Sequence, residues 1–145
     1  MSCNCNCLKT PNRKSALRLS STTPQTINTT PAAVAGAVAI VDTGCSLEAM
    51  SSGARVQSAG LYDSDASVQV DATVAGTVSV QYYLDGMALA DTLRTVTVPV
   101  GLSVIPVERL FCLGGNCCGH TVQIYVSGTA TGTVTAWSMD IVREA

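Results

Sequence analysis

Aromatic and charged side chains are both scarce in this chain, and each scarcity removes a class of function. Aromatics make up 4% of the residues and charged groups 12%, against 47% hydrophobic. The aromatics are Tyr62, Tyr82, Tyr83, Phe111, Tyr125 and Trp137, and the one histidine is His120. A single histidine without a nucleophile motif around it leaves no catalytic triad to build. Phosphate loops and dinucleotide fingerprints are missing too. Nucleic-acid binding wants clustered arginines with interleaved aromatics, and no stretch supplies both. An enzyme, a cofactor or a small-molecule substrate is therefore not expected.

Long apolar runs are also missing. The most extended, AAVAGAVAIV from Ala32, is too short to span a bilayer and is interrupted by Gly36. The first thirty residues are mostly Ser, Thr, Asn, Pro and Cys, without the apolar core of an export signal. The expectation is folding in a reducing cytosol, where seven cysteines are not a disulfide framework.

What is present is β composition. The sequence holds 18 Val and 17 Thr, residues that are stiff at χ1 and pack well on a pleated surface. From Val34 onward, short alternating segments follow one another. Val68, Val70, Ala72 and Val74 share a face, then Val78, Val80, Tyr82 and Leu84, then Val122, Ile124 and Val126. Asp85-Gly86 between alternating segments is a hairpin signal. In the last segment Trp137, Met139 and Ile141 share one face while Val134 and Ala136 take the other. That strand is either buried on both sides or carries a bulge. About eight antiparallel strands in residues 34–145 predict an all-β sandwich or barrel.

Residues 1–33 read instead as an extended arm, rich in Ser, Thr, Asn and Pro. Its basic residues, Lys9, Arg13, Lys14 and Arg18, face no acid within residues 1–20, whereas the remainder carries four Arg against ten acids. A basic arm on an acidic body suits docking on an acidic partner surface. Cys3, Cys5 and Cys7 alternate, so an extended strand would put all three thiols on one side, ready to cross-link copies. The body contains no lysine to protect its sheet edges, and oligomerisation is one way to cover them.

The stretch FCLGGNCCGH gathers Cys112, Cys117, Cys118 and His120, the only candidate zinc set. Adjacent cysteines rarely both face one ion, so a connecting loop with small, partly buried thiols is favoured and no metal is expected. Asp63, Asp65 and Asp71 lack the glycine and glutamate of a calcium loop and read as a solvated turn.

The run SAGLYDSDASVQVDATVAGTVSVQYYLDGMAL resembles the centre of a C1q/TNF-like jelly roll: a Gly-Leu-Tyr strand, an alternating strand, then a strand ending in Asp-Gly. The span from GAVAIVDTG to TAWSMDIV is similar to small jelly-roll proteins of gut Gram-positive prophages, and to the C-terminal domains of bacterial collagen-like surface proteins. The polar Asp63-Ser64-Asp65 departs from that pattern, and no Gly-X-Y segment precedes the domain. The resemblance implies a jelly-roll β-sandwich that forms a homotrimer. It further implies a structural protein of a tailed phage, a capsid-decoration or head-fibre component assembled in the host cytoplasm and located on the virion. Its partners would be itself and the major capsid or other virion proteins, with no membrane. A carbohydrate- or host-surface-binding module is the other class, and Tyr83 and Tyr125 are its only candidate outward aromatics. A small zinc-stabilised binding domain is the third.

Overall fold

The alternating segments fold as expected, with one apolar face turned inward along each. The structure, a computed structural model, describes residues 15–114 and 119–144. The strands are β1 (Ala16–Ser21), β2 (Gln25–Thr26), β3 (Ala32–Ala33), β4 (Val38–Thr43), β5 (Leu47–Met50), β6 (Gly53–Val56) and β7 (Gly60–Val74). After them come β8 (Gly76–Leu84), β9 (Met87–Ala88), β10 (Arg94–Val98), β11 (Gly101–Leu113), β12 (His120–Gly128) and β13 (Thr131–Arg143). A single 3₁₀ turn, Ala90–Thr92, joins β9 to β10.

Every pairing is antiparallel, and the strands divide into two sheets. One runs β11-β7-β13-β1-β4, with β2 added on β13; the other runs β10-β8-β12-β6-β5, with β3 on β12 and β9 on β8. The inward faces meet in one core. Leu17, Leu19, Val68, Val70, Met139 and Ile141 come from the first sheet, and Val56, Val78, Val80, Tyr82, Val122 and Ile124 from the second. This is an all-β jelly-roll sandwich.

The phenol of Tyr82 and the indole of Trp137 are both paired. Tyr82 packs edge-on to Phe111 with centroids 5.4 Å apart, and its hydroxyl lies 2.9 Å from Ser64 Oγ. Burial pushes the Tyr82 phenol well above its usual range, against the Ser64 hydrogen bond that lowers it. Tyr82 N, between the rungs to β9 and those to β10, donates to Thr92 Oγ1 at 3.0 Å. Trp137 Nε1 donates to Ala35 O at 2.9 Å. Asp85 and Gly86 both take positive φ, 52° and 80°, the combination a two-residue primed hairpin turn requires.

Two expectations change, and the last strand takes one of its two expected forms. First, residues 15–33 are not an arm. β1 lies between β13 and β4 in the first sheet, with Leu17 and Leu19 buried, because Leu17, Leu19 and Ser21 alternate inward. β2 pairs with β13 and β3 with β12. The sandwich therefore begins by Ala16 rather than at residue 34. Second, Asp63-Ser64-Asp65 is no turn: β7 runs unbroken through it, since Ser64 turns inward to Tyr82 and keeps the alternation. The last strand, β13, resolves its ambiguous pattern with a bulge between Val134 and Ala136, which lets Val134 and Trp137 both face the core.

Removal of residues 1–33 should abolish folding by deleting β1. Leu19→Ala should cost about 2–5 kcal/mol in a urea melt. A folded protein lacking residues 1–33 would contradict the placement of β1.

Candidate functional site

The β11-β7-β13-β1-β4 sheet carries most of the exposed apolar side chains. On β11, Ile105, Val107 and Phe111 turn inward, and the alternate residues turn out. Leu102 and Val104 are consequently 65% and 64% exposed, and Leu110 joins them. At the opposite edge all of β4 is exposed, with Val38 at 65% and Ile40 at 62%. One sheet thus presents apolar side chains along both of its edges.

Between these edges the registers line outward residues up in rows. One row crosses Glu108, Asp65, Asp140 and Arg18. The next crosses Leu110, Asp63, Val142 and Ala16. On the other side lie Pro106, Ser67, Ser138 and Ser20, where the hydroxyls of Ser67 and Ser138 meet at 3.0 Å. Small residues leave the middle of the face low.

Of the basic residues expected to anchor an arm, Lys9, Arg13 and Lys14 lie outside the described residues, as do Cys3, Cys5 and Cys7. Arg18 belongs to β1. Its guanidinium forks onto Asp140, Nε to Oδ1 at 2.8 Å and Nη2 to Oδ2 at 3.1 Å, which reinforces its charge. The ladder forces this pairing, because Arg18 stands opposite Asp140. Asp65 lacks such relief. Burial and the neighbouring Asp63, Glu108 and Asp140 all raise its carboxyl above the usual range, and a hydrogen bond with Glu108 adds to this.

The candidate zinc set is divided. Cys112 is a free, exposed thiol on β11 in the first sheet. His120 opens β12 in the second sheet, opposite Val56, and its Nδ1 lies 2.7 Å from Asp85 Oδ2. Cys117 and Cys118 lie outside the described residues. Asp85 Oδ1 also accepts the Thr121 N–H at 2.9 Å. Burial works against ionisation of Asp85, but the bonds from His120 and Thr121 prevail and hold its carboxyl below the usual range. Among the described residues no group of three His, Cys, Asp or Glu is arranged to hold a metal. Asp63, Asp65 and Asp71 sit on outward positions of β7, with Ser67 and Gln69 between the last two, opposite Leu110, Glu108 and Leu102.

Cys45 departs from the expectation of reduced thiols. It lies in the β4–β5 turn and is disulfide-bonded. The same turn is fastened to the start of β1, where Ser46 N donates to Ser15 Oγ at 3.0 Å. Gly44 there has φ +77°, and a Cβ on it would fall 2.4 Å from Ser15 Oγ, so only glycine fits.

The outward Leu102, Val104 and Leu110 escaped the sequence reading. LSVIPVERLF is apolar on both faces, the same signal that marked the last strand, and it points to a strand covered on both sides.

The fold has clear likenesses among solved structures. Murine APRIL, in a crystal structure at pH 5.0, superposes with a TM-score of 0.66 at 17% identity, covering 90% of this chain and 99% of that one. PRD1 vertex protein P5 gives 0.59 at 14% identity, over 89% and 96% of the two chains. Pika GITRL gives 0.54 at 15%, over 90% and 97%. The fold is a C1q/TNF-like jelly roll. No protein-family model matches the sequence, and no curated protein matches it. At these identities the likeness shows the fold alone. Among the described residues no helix is long and apolar enough to cross a membrane.

The two perturbed carboxylates act on stability with opposite signs. Asp65 holds its proton more tightly when folded, so its favourable contribution is complete below its unfolded value and is lost as pH rises through the folded one. Asp85 contributes above its unfolded value and loses that contribution as pH falls through the folded one. Asp65→Asn should therefore raise the urea midpoint at neutral pH, by less than about 1 kcal/mol, and give no gain in strong acid. Asp85→Asn, whose amide tolerates the positive φ, should lose about 1 kcal/mol at neutral pH and less in acid. Shifts independent of pH would contradict this assignment.

Proposed function

We propose that this chain is a self-associating structural protein of a virus particle, a capsid-decoration or head-fibre component of a tailed phage. The observation that carries the reading is the sheet with apolar side chains exposed along both edges, Leu102, Val104 and Leu110 on β11 and Val38 and Ile40 on β4. Scattered apolar residues on a monomer need no explanation, but two apolar edges flanking a low, small-residue face suit burial against another copy. A stable contact of this kind buries about 800 Å² on each side. Three copies related by a three-fold axis would let one edge of each sandwich lie on the face of the next, in a homotrimer. The likeness to PRD1 vertex protein P5 supports a particle component; the likeness to APRIL and GITRL fits the same architecture in other settings.

In this reading the protein works by binding and not by turnover. Lys9, Arg13 and Lys14, outside the described residues, would supply the basic charge that meets an acidic surface on the major capsid protein or another virion protein. Cys3, Cys5 and Cys7, also outside the described residues, would cross-link neighbouring copies once the particle leaves the reducing host cytoplasm. Arg18 lies on β1, paired with Asp140 and partly exposed.

Sedimentation equilibrium of the full chain tests the self-association, and co-sedimentation with particles tests the arm. The wild type should give a trimer mass, and Leu102→Asp with Val104→Asp should give a monomer with an unchanged circular dichroism spectrum. A chain starting at Ser15 should remain assembled but lose attachment to particles. A monomeric wild type would remove the proposal, and full attachment without residues 1–14 would remove the role of the arm.

A further inference from the structure

The face of the other sheet has a different character. Tyr83 on β8 and Tyr125 on β12 turn outward beside the inward-facing Tyr82 and Ile124, and their rings stack with centroids 3.6 Å apart and planes within 8°. They are diagonal neighbours: Tyr83 stands opposite Gln123, and Tyr125 opposite Gln81. A cross-strand aromatic pair is worth only about 0.2–1 kcal/mol to a sheet. Sheet stabilisation alone does not account for what surrounds this one.

Each ring gives one face to the other, and the second face of each is bordered by a methyl group. Ala88 on β9 stands opposite Tyr83, and Ala33 on β3 stands opposite Tyr125. An alanine is too short to cover a phenol ring standing out of the sheet. A glutamine accompanies each ring across the strands. Gln123 Nε2 donates to Ser52 Oγ at 2.7 Å, and Gln81 Nε2 donates to Leu89 O at 3.1 Å. Holding each amide by its N–H leaves its carbonyl oxygen as the group to accept a ligand hydroxyl. The local two-fold of the antiparallel β8–β12 pair therefore repeats one set of parts twice: an aromatic face, an alanine ledge and an oriented amide. The other outward positions of these strands nearby, Ser79 and Ser127, carry no charge.

We propose that this face of the β10-β8-β12-β6-β5 sheet binds uncharged pyranose sugars, stacked on Tyr83 and Tyr125 and hydrogen-bonded to Gln81 and Gln123. A pyranose presents both complements at once, a face of polarised C–H bonds for the electron-rich ring and a rim of hydroxyls for the amides. Arg55 on β6 stands opposite Thr121 and faces Glu48 on β5, and a purely apolar ligand would leave the amides unanswered. A single ring contact gives an affinity on the order of millimolar. Several copies side by side on one particle would raise the avidity without any new contact.

The test is saturation-transfer difference NMR on the full chain with four monovalent probes: methyl α-glucopyranoside, methyl β-galactopyranoside, N-acetylglucosamine and rhamnose. At least one should receive saturation at its ring C–H protons. Tyr83→Ala and Tyr125→Ala should each weaken that transfer about tenfold, while Tyr83→Phe and Tyr125→Phe keep it, because stacking needs the ring and not the hydroxyl. Ala88→Leu and Ala33→Leu keep both rings and fill the ledges, and should also abolish transfer. Transfer to none of the four probes would overturn the proposal. So would transfer that survives the double tyrosine-to-alanine change or the ledge substitutions. Monovalent probes make the outcome independent of self-association, so a negative result leaves that reading standing.

Discussion

Antiparallel pairing of β1 with β13 is the interaction on which the rest of this architecture depends. It joins the first described strand to the last, in register from Ala16 opposite Val142 to Ser21 opposite Trp137. It covers one edge of β13, buries Leu17 and Leu19, and sets Arg18 against Asp140. It also makes β4, rather than β1, the edge of the sheet. Because β4 is the edge, Val38 and Ile40 are left in solvent. The same pairing sets Ser15 beside the β4–β5 turn.

The two outer faces divide the surface chemistry. One sheet offers apolar edges, small hydroxyls and a row in which Arg18 pairs with Asp140 while Asp65 stands among like charges. Such a face suits burial against a large partner, where area and shape decide. The other offers stacked rings and oriented amides, features suited to a small polar ligand. In an assembly built through the first face, the second would remain outward.

Much of the fold was legible because alternation is a direct reading of side-chain direction. The inward sets at Val68 to Ala72, Val78 to Tyr82 and Val122 to Val126 follow from period two alone. The bulge in β13 was legible as one of two outcomes, and the packing of Trp137 and Val134 selected it. β1 was not legible. Its six residues, ALRLSS, sit in a Ser- and Thr-rich stretch, and strand formation there depends on a partner more than a hundred residues away. Composition cannot report such non-local pairing. The path of β7 through Asp63-Ser64-Asp65 was missed for a related reason, since the acceptability of Ser64 in the core depends on the Tyr82 hydroxyl. Of the candidate residues, Tyr83 and Tyr125 were visible individually, but their stacking and the alanines beside them follow from strand register. The zinc set looked compact in sequence, yet Cys112 and His120 belong to different sheets.

The central claim is that copies of this chain meet through the sheet edged by β4 and β11. Amide hydrogen exchange of the full chain, followed by mass spectrometry at low and high protein concentration, tests it most directly. Protection should rise with concentration in β4 and in the outward stretch of β11 from Leu102 to Leu110, while β8 and β12 stay unchanged. Exchange in β4 and β11 that does not respond to concentration would contradict the account, as would protection gained instead on the face of Tyr83 and Tyr125.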